Sequence, residues 1–172
     1  GLTATTANPD DGSYRMPKTG PWIDTVAPNF QFGGDSGILW ISFNSQRLTG
    51  GDDQYGGLSL NLQFVGEQLF LGSPWQSGEW GYGDPIGASG GQVAGSNIDL
   101  DSRLVYKIEY TPAGENLSMW VNPPVPHPDP LINAPDLTAT LGDHTWNEIR
   151  LQSGGATAAH GWNFDEILIE CQ

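Results

Sequence analysis

The chain has 172 residues, enough for one domain with a substantial core, and 24 of them are glycine and 13 proline. Twenty acidic side chains stand against six basic ones, a formal charge of −14 that repels nucleic-acid backbones and anionic lipid surfaces. No window holds a helical period, no run is long and apolar enough to enter a membrane, and the single cysteine, Cys171, cannot close an internal disulfide.

Residues 1–36 are rich in turns, with short strands expected near Leu2–Thr6, Ser13–Met16 and Asn29–Phe32. Ile38–Arg47 reads as a strand, with Leu39, Ile41 and Phe43 toward a core and Ile38 and Trp40 toward a second layer. The clearest alternation follows. Leu58, Leu60, Leu62 and Phe64 share one face, while Ser59, Asn61 and Gln63 share the other. Val65-Gly66-Glu67 turns the chain and Gln68–Leu71 returns. Gly87–Gly95 reads as a loop of small residues. Leu104–Thr111 and Leu117–Val121 make a second hairpin.

Asn122–Pro130 carries five prolines in nine residues. Proline cannot donate to a strand ladder, so this stretch is a stiff surface arm. Asp136–Leu141, Trp146–Gln152 and Gly161–Glu170 complete the strands. Regular alternation in the last one sends either Asp165 or Glu166 inward or to an edge. Many strands in one domain without a helix imply an all-β fold of two stacked antiparallel sheets.

The order of motifs resembles the laminin-G-like or concanavalin A-like jelly-roll domains of secreted environmental bacteria. LWISF, YGGLSLNL, EQLFLGSPW and WGYG come first, then LVYKIEYTPAGENLSMWVNPP, then WNEIRLQSGG and GWNFDEILI. The resemblance spans residues 37–170 and implies a two-sheet jelly-roll sandwich in an extracellular or cell-surface setting. Domains of that kind carry a further strand upstream of Gly1–Pro17. Its absence here raises the expectation that a partner or a longer chain supplies it, as in a self-associating fibre subunit.

Catalysis has little to stand on in the spacing of acids. Retaining glycosidases hold two carboxyls roughly 5 Å apart, and the resemblance implies that they come from one strand as Glu-x-Asp-x-x-Glu or Glu-x-Asp-x-Glu. Asp99-Leu100-Asp101 and Asp165-Glu166 with Glu170 do not match that pattern. His127, His144 and His160 are scattered among loops, and Ser153 lacks a nucleophile elbow. Calcium is the cofactor expected, because Asp52, Asp53, Asp99 and Asp101 sit in turn-rich acidic stretches that offer hard oxygen ligands. Asp10-Asp11 is a further stretch of that type.

Seven tryptophans suggest a carbohydrate platform, since an aromatic face matches the C–H face of a pyranose. Trp80 and Tyr82 lie among glycines beside Glu79 and Asp84, and Tyr55 follows the acidic pair. These five are the expected ligand-binding residues. Trp75, directly after Pro74, is assigned instead to capping the end of the sandwich. The function expected is a non-catalytic extracellular binding or adhesion module for glycans. A strand-exchanging fibre subunit is the alternative and a glycoside hydrolase the weaker one.

Overall fold

The computed structural model describes residues 2–6, 12–15, 32–49, 54–62, 64–155 and 160–172. The described residues form two six-stranded sheets and no helix. The first sheet runs in the order β1 (Leu2–Thr6), β12 (His160–Cys171), β3 (Gly37–Thr49), β8 (Ser102–Thr111), β9 (Gly114–Val121) and β10 (Leu137–Thr140). The second runs β2 (Gly12–Arg15), β11 (Glu148–Gly155), β4 (Gln54–Leu62), β5 (Gly66–Ser73), β6 (Gly81–Asp84) and β7 (Ser89–Gln92). All these strand pairings are antiparallel. The fold is the all-β, two-sheet sandwich that the alternation implied.

The core lies between the sheets. Leu39, Ile41 and Phe43 of β3 meet Leu58 and Leu60 of β4, Leu69 and Leu71 of β5, and Tyr106 and Ile108 of β8. Each set comes from alternate positions, so one face of each strand is apolar. The first sheet also has an apolar outer face. Trp40, Val105 and Trp120 form a second buried cluster there, with Ile38 against it. The proline-rich arm lies over this cluster. The His127 ring sits 4.9 Å from that of Trp40, and its Nε2 pairs with Glu170 at 2.7 Å. Trp120 Nε1 donates to the Asn133 carbonyl at 2.8 Å.

Several expectations need correction. Phe64 does not extend the Leu58–Leu60 face. It stands 99% exposed at the turn between β4 and β5 with φ of 68°. Gln63 lies outside the described residues. The small-residue stretch Gly87–Gly95 contains β7, which closes an edge of the second sheet. Neither Asp165 nor Glu166 turns inward, because the register of β12 on β3 slips between Asp165 and Leu168. Glu166 takes φ of 50° there and both carboxylates stay exposed. A bulge frees a strand from strict alternation. The N-terminal strands β1 and β2 pair with β12 and β11, at one edge of each sheet.

Candidate functional site

The aromatic residues expected to bind a ligand are divided by the fold. Trp80 is fully buried and packs edge-on against Trp162, with ring centroids 5.8 Å apart. Tyr82 pairs with Leu71 across β5 and β6 and belongs to the same core. Neither ring offers a face to a sugar, so both assignments are corrected to core packing. The burial has a simple cause: the four-residue strand β6 aligns its inward positions with the core face of β5. Glu79 accepts a hydrogen bond from the Gly95 amide at 2.7 Å and pins its own loop. Tyr55 remains half-buried on the outer face of β4. Trp75, set aside as a cap, stands 49% exposed with its ring 5.7 Å from that of Tyr55.

Of the expected calcium ligands, Asp52 and Asp53 lie outside the described residues, as do Asp10 and Asp11. Asp99 engages Arg47 through both carboxylate oxygens, at 2.7 and 3.1 Å. The guanidinium holds its carboxyl below the usual range, against a smaller opposing effect of burial. Asp101 is exposed nearby. Among the described residues no three His, Cys, Asp or Glu side chains gather as a metal ion would require.

Asp84 has a different role from the one its neighbours suggested. It is buried between the sheets and bonds His144 Nε2 at 2.9 Å, while His144 Nδ1 bonds Glu115. The amides of Gly87, at 2.6 Å, and Gly142, at 2.9 Å, also donate to Asp84. The His144 amide donates to Glu115 at 2.7 Å. Burial would lower the imidazole pKa, but the two carboxylates outweigh it and raise it. Burial would likewise raise the pKa of Asp84, but the Gly87 and Gly142 amides and His144 bring it down. The cluster is a hydrogen-bonded clasp that ties the loop after β6 and the loop after β10 to the start of β9. It faces the interior, and none of its three side chains is more than 2% exposed.

The outer face of the second sheet holds a polar cluster. Outward positions on β4 and β11 alternate with Leu58, Leu60 and Leu151 in the core, and they are Ser59 and Asn61 on one strand and Glu148, Arg150 and Gln152 on the other. The register sets Glu148 opposite Asn61 and Arg150 opposite Ser59. Glu67 joins from β5 opposite Asn61, because the β4–β5 register shifts between Leu60 and Asn61. Bulges of this type re-aim side chains beside functional sites.

Ser59 Oγ donates to Glu67 Oε2 at 2.5 Å. Gln152 Nε2 reaches both Ser59 Oγ and Glu67 Oε2, each at 2.5 Å. Beside this triangle, Arg150 Nη2 lies 3.7 Å from Glu148 Oε1. Arg150 Nε and both side-chain polar atoms of Asn61 are buried without a hydrogen-bond partner. Buried polar groups without partners cost about 1–3 kcal/mol each. At the far end of the face the rings of Tyr55, Phe70 and Trp75 meet, with Tyr55 6.1 Å from Phe70. Glycine makes room for them: a Cβ at Gly154 would come within 2.4 Å of the Tyr55 ring, and one at Gly57 within 2.8 Å of Phe70.

No protein-family model matches the chain, and no curated protein matches it either. Solved structures do share its fold. An alginate lyase from Corynebacterium sp. is 6% identical with a TM-score of 0.56, over 83% of this chain and 62% of that one. The alginate lyase AlgAT5, from polysaccharide lyase family 7, is 10% identical with a TM-score of 0.56, over 94% of this chain and 69% of that one. A family 7 alginate lyase in complex with a substrate, GGMG, is 9% identical with a TM-score of 0.56, over 94% of this chain and 69% of that one. The chain therefore spans 62–69% of the length of these enzymes.

These likenesses place the sandwich among concanavalin A-like jelly rolls. They also correct the expectation of a non-catalytic adhesion module or fibre subunit, because over 94% of this chain the same architecture is an enzyme scaffold in those neighbours. The enzymes are lyases, a reaction class that a search for paired hydrolytic carboxylates does not address.

Proposed function

We propose that this domain processes acidic polysaccharide by β-elimination, outside the cell, with the outer face of the second sheet as its groove. One observation carries the reading: Ser59, Glu67 and Gln152, from three adjacent strands, form a hydrogen-bonded polar cluster beside Arg150 on an outward face. Folding alone is served by apolar or solvated residues there, and partly satisfied polar groups are retained at a cost. The neighbours' action on alginate supports a polymer of uronic acid as the substrate class.

Elimination makes three demands. The uronate carboxyl needs a cation or donors, so that the adjacent C–H bond can ionise. A base must take that proton. The departing glycosidic oxygen must receive one. Arg150 supplies a fork that matches a carboxylate. Glu67 is the base, oriented by Ser59 and Gln152. As the C–H bond breaks, a carbon–carbon double bond forms and the bond to the glycosidic oxygen is lost. Protonated Glu67 then returns its proton to that oxygen. The aromatic group Tyr55, Phe70 and Trp75 provides apolar contact for sugars further along the chain.

The test is incubation with alginate and with polygalacturonate. The expected result is a rising ultraviolet absorbance from unsaturated uronate ends, lost in Glu67→Gln. New reducing ends without that absorbance would establish hydrolysis instead. Intact polymer in both cases would remove the catalytic reading.

A further inference from the structure

A cleft opens beside the β4–β5 turn. It is an open cleft of about 220 Å³ lined by Asn61, Leu62, Phe64, Val65, Gly66, Glu148 and Arg150. Asn61 is only 2% exposed, and neither its amide nitrogen nor its oxygen has a partner. Arg150 Nε is likewise buried and unpaired. The lining thus offers a donor and an acceptor fixed side by side on one planar amide, with a further donor nearby.

Charge decides what fits. The arginine of the cleft has the Glu148 carboxylate 3.7 Å away, so the lining holds one positive and one negative group. Glu148 stands opposite Asn61, whereas Arg150 stands opposite Ser59 on the side of Glu67, so at the Asn61 end an anion meets a carboxylate and a cation meets the nearby guanidinium, within a molecule of formal charge −14. A neutral molecule with paired hydroxyls meets neither objection. Each hydroxyl both donates and accepts, so two on adjacent carbons can satisfy the oxygen and the amino group of Asn61 together.

The turn adds an apolar surface. Phe64 is 99% exposed and Val65 69% exposed, and Phe64 holds a left-handed φ of 68° that a bulky residue rarely adopts. Backbone strain of this sort is kept where surrounding structure or function requires it. A ring presented in this way gives the C–H face of a pyranose something to rest on.

We propose that this cleft is a subsite for a neutral hexopyranose, gripped through a vicinal diol by Asn61 and flanked by Phe64. The subsite rests on the reading of this face as a glycan groove, and it deepens that reading. The substrate is then a mixed polymer in which a neutral sugar lies next to the uronate that reacts.

The experiment measures equilibrium binding of the methyl pyranosides of glucose, mannose and galactose, with galacturonate as the charged comparison. Saturation-transfer NMR and titration calorimetry on the intact chain give the readout. At least one neutral hexoside is expected to bind with millimolar affinity, and a tenfold or greater loss is expected in Asn61→Ala and on removing one of its paired hydroxyls. Galacturonate, whose carboxylate pairs with Arg150 in the proposed reaction, is expected to bind Asn61→Ala as well as it binds the parent.

Because Asn61 lacks partners, Asn61→Ala is also expected to leave the ligand-free protein folded, with an unfolding midpoint at or above that of the parent. Absence of saturable binding by every neutral hexoside overturns the subsite, as does undiminished hexoside binding by Asn61→Ala, or a loss of galacturonate binding in Asn61→Ala as large as the loss of hexoside binding. A lowered midpoint in Asn61→Ala also overturns it, since the amide would then be satisfied within the fold. Binding without turnover of any polyuronate leaves the subsite standing and removes the elimination reading. Turnover without hexoside binding does the reverse.

Discussion

The two outer faces of the sandwich use the same strand geometry for opposite ends. On the first sheet, Trp40, Val105 and Trp120 point outward and are sealed by the arm that carries His127 and by Asn133 just beyond it. On the second, the equivalent outward positions hold Ser59, Asn61, Arg150 and Gln152. The first face is completed by its own chain, and its polar atoms are matched, as the Trp120 Nε1 bond to Asn133 shows. The second keeps Asn61 and Arg150 Nε unmatched. A face that has been closed contributes stability, whereas unmatched polar atoms cost it, and the proposed ligand is what would match them.

Damage to the two faces should therefore register in different assays. Trp120→Ala removes a stacked indole and its hydrogen bond, and is expected to cost about 3–5 kcal/mol in denaturant unfolding. Any turnover by the fraction still folded should be unchanged. Glu67→Gln is expected to do the converse, with a turnover loss of about 10²- to 10⁴-fold and an unfolding midpoint close to the parent's. If Trp120→Ala abolished turnover at full foldedness, or Glu67→Gln unfolded the chain, the separation of the faces would be lost.

Much of the first contrast can be read in the sequence, and little of the second. Leu39, Ile41 and Phe43 against Ile38 and Trp40 announce a strand buried on both sides, and the prolines of Asn122–Pro130 announce the arm. Ser59 and Asn61 alternate just as clearly, as do Glu148, Arg150 and Gln152, yet a polar face at period two is also what a solvated strand shows. Only pairing of β11 with β4 makes them a cluster, and Gln152 is 93 residues from Ser59. His144 was hidden for the same reason, since its partners Asp84 and Glu115 lie 60 and 29 residues away. Trp80 misled because β6 is four residues long, too short to display alternation among its glycines.

The clasp of Asp84, His144 and Glu115 belongs to neither outer face, and its contribution to stability should respond to pH. The His144 pKa is raised above 6.5, so its contribution is whole below about pH 6.5 and fades as pH climbs through the raised value. The Asp84 pKa is lowered below 3.8, so its contribution is whole above about pH 4 and fades as pH falls through the lowered value. The stability deficit of His144→Gln should be greatest in mildly acidic buffer and shrink in alkaline buffer. That of Asp84→Asn should shrink in strong acid. A deficit independent of pH in both variants would mean that the cluster is held by packing rather than by charge.

The smallest expected effect tests how far the field of the whole molecule reaches into the second face. At −14, the protein repels a polyuronate before any groove contact forms. The Debye length falls from about 30 Å at 0.01 M salt to about 8 Å at 0.15 M, so distant acids are screened first. The attraction of Arg150 for a carboxylate acts at a few ångströms and survives. The rate at low substrate concentration should therefore rise several-fold over that range of salt, with the rate at saturation unchanged. In Arg150→Gln the same proportional rise should persist on a much lower baseline. A rate that falls with salt would mean that local positive charge, not the overall acidity, governs the approach to this face.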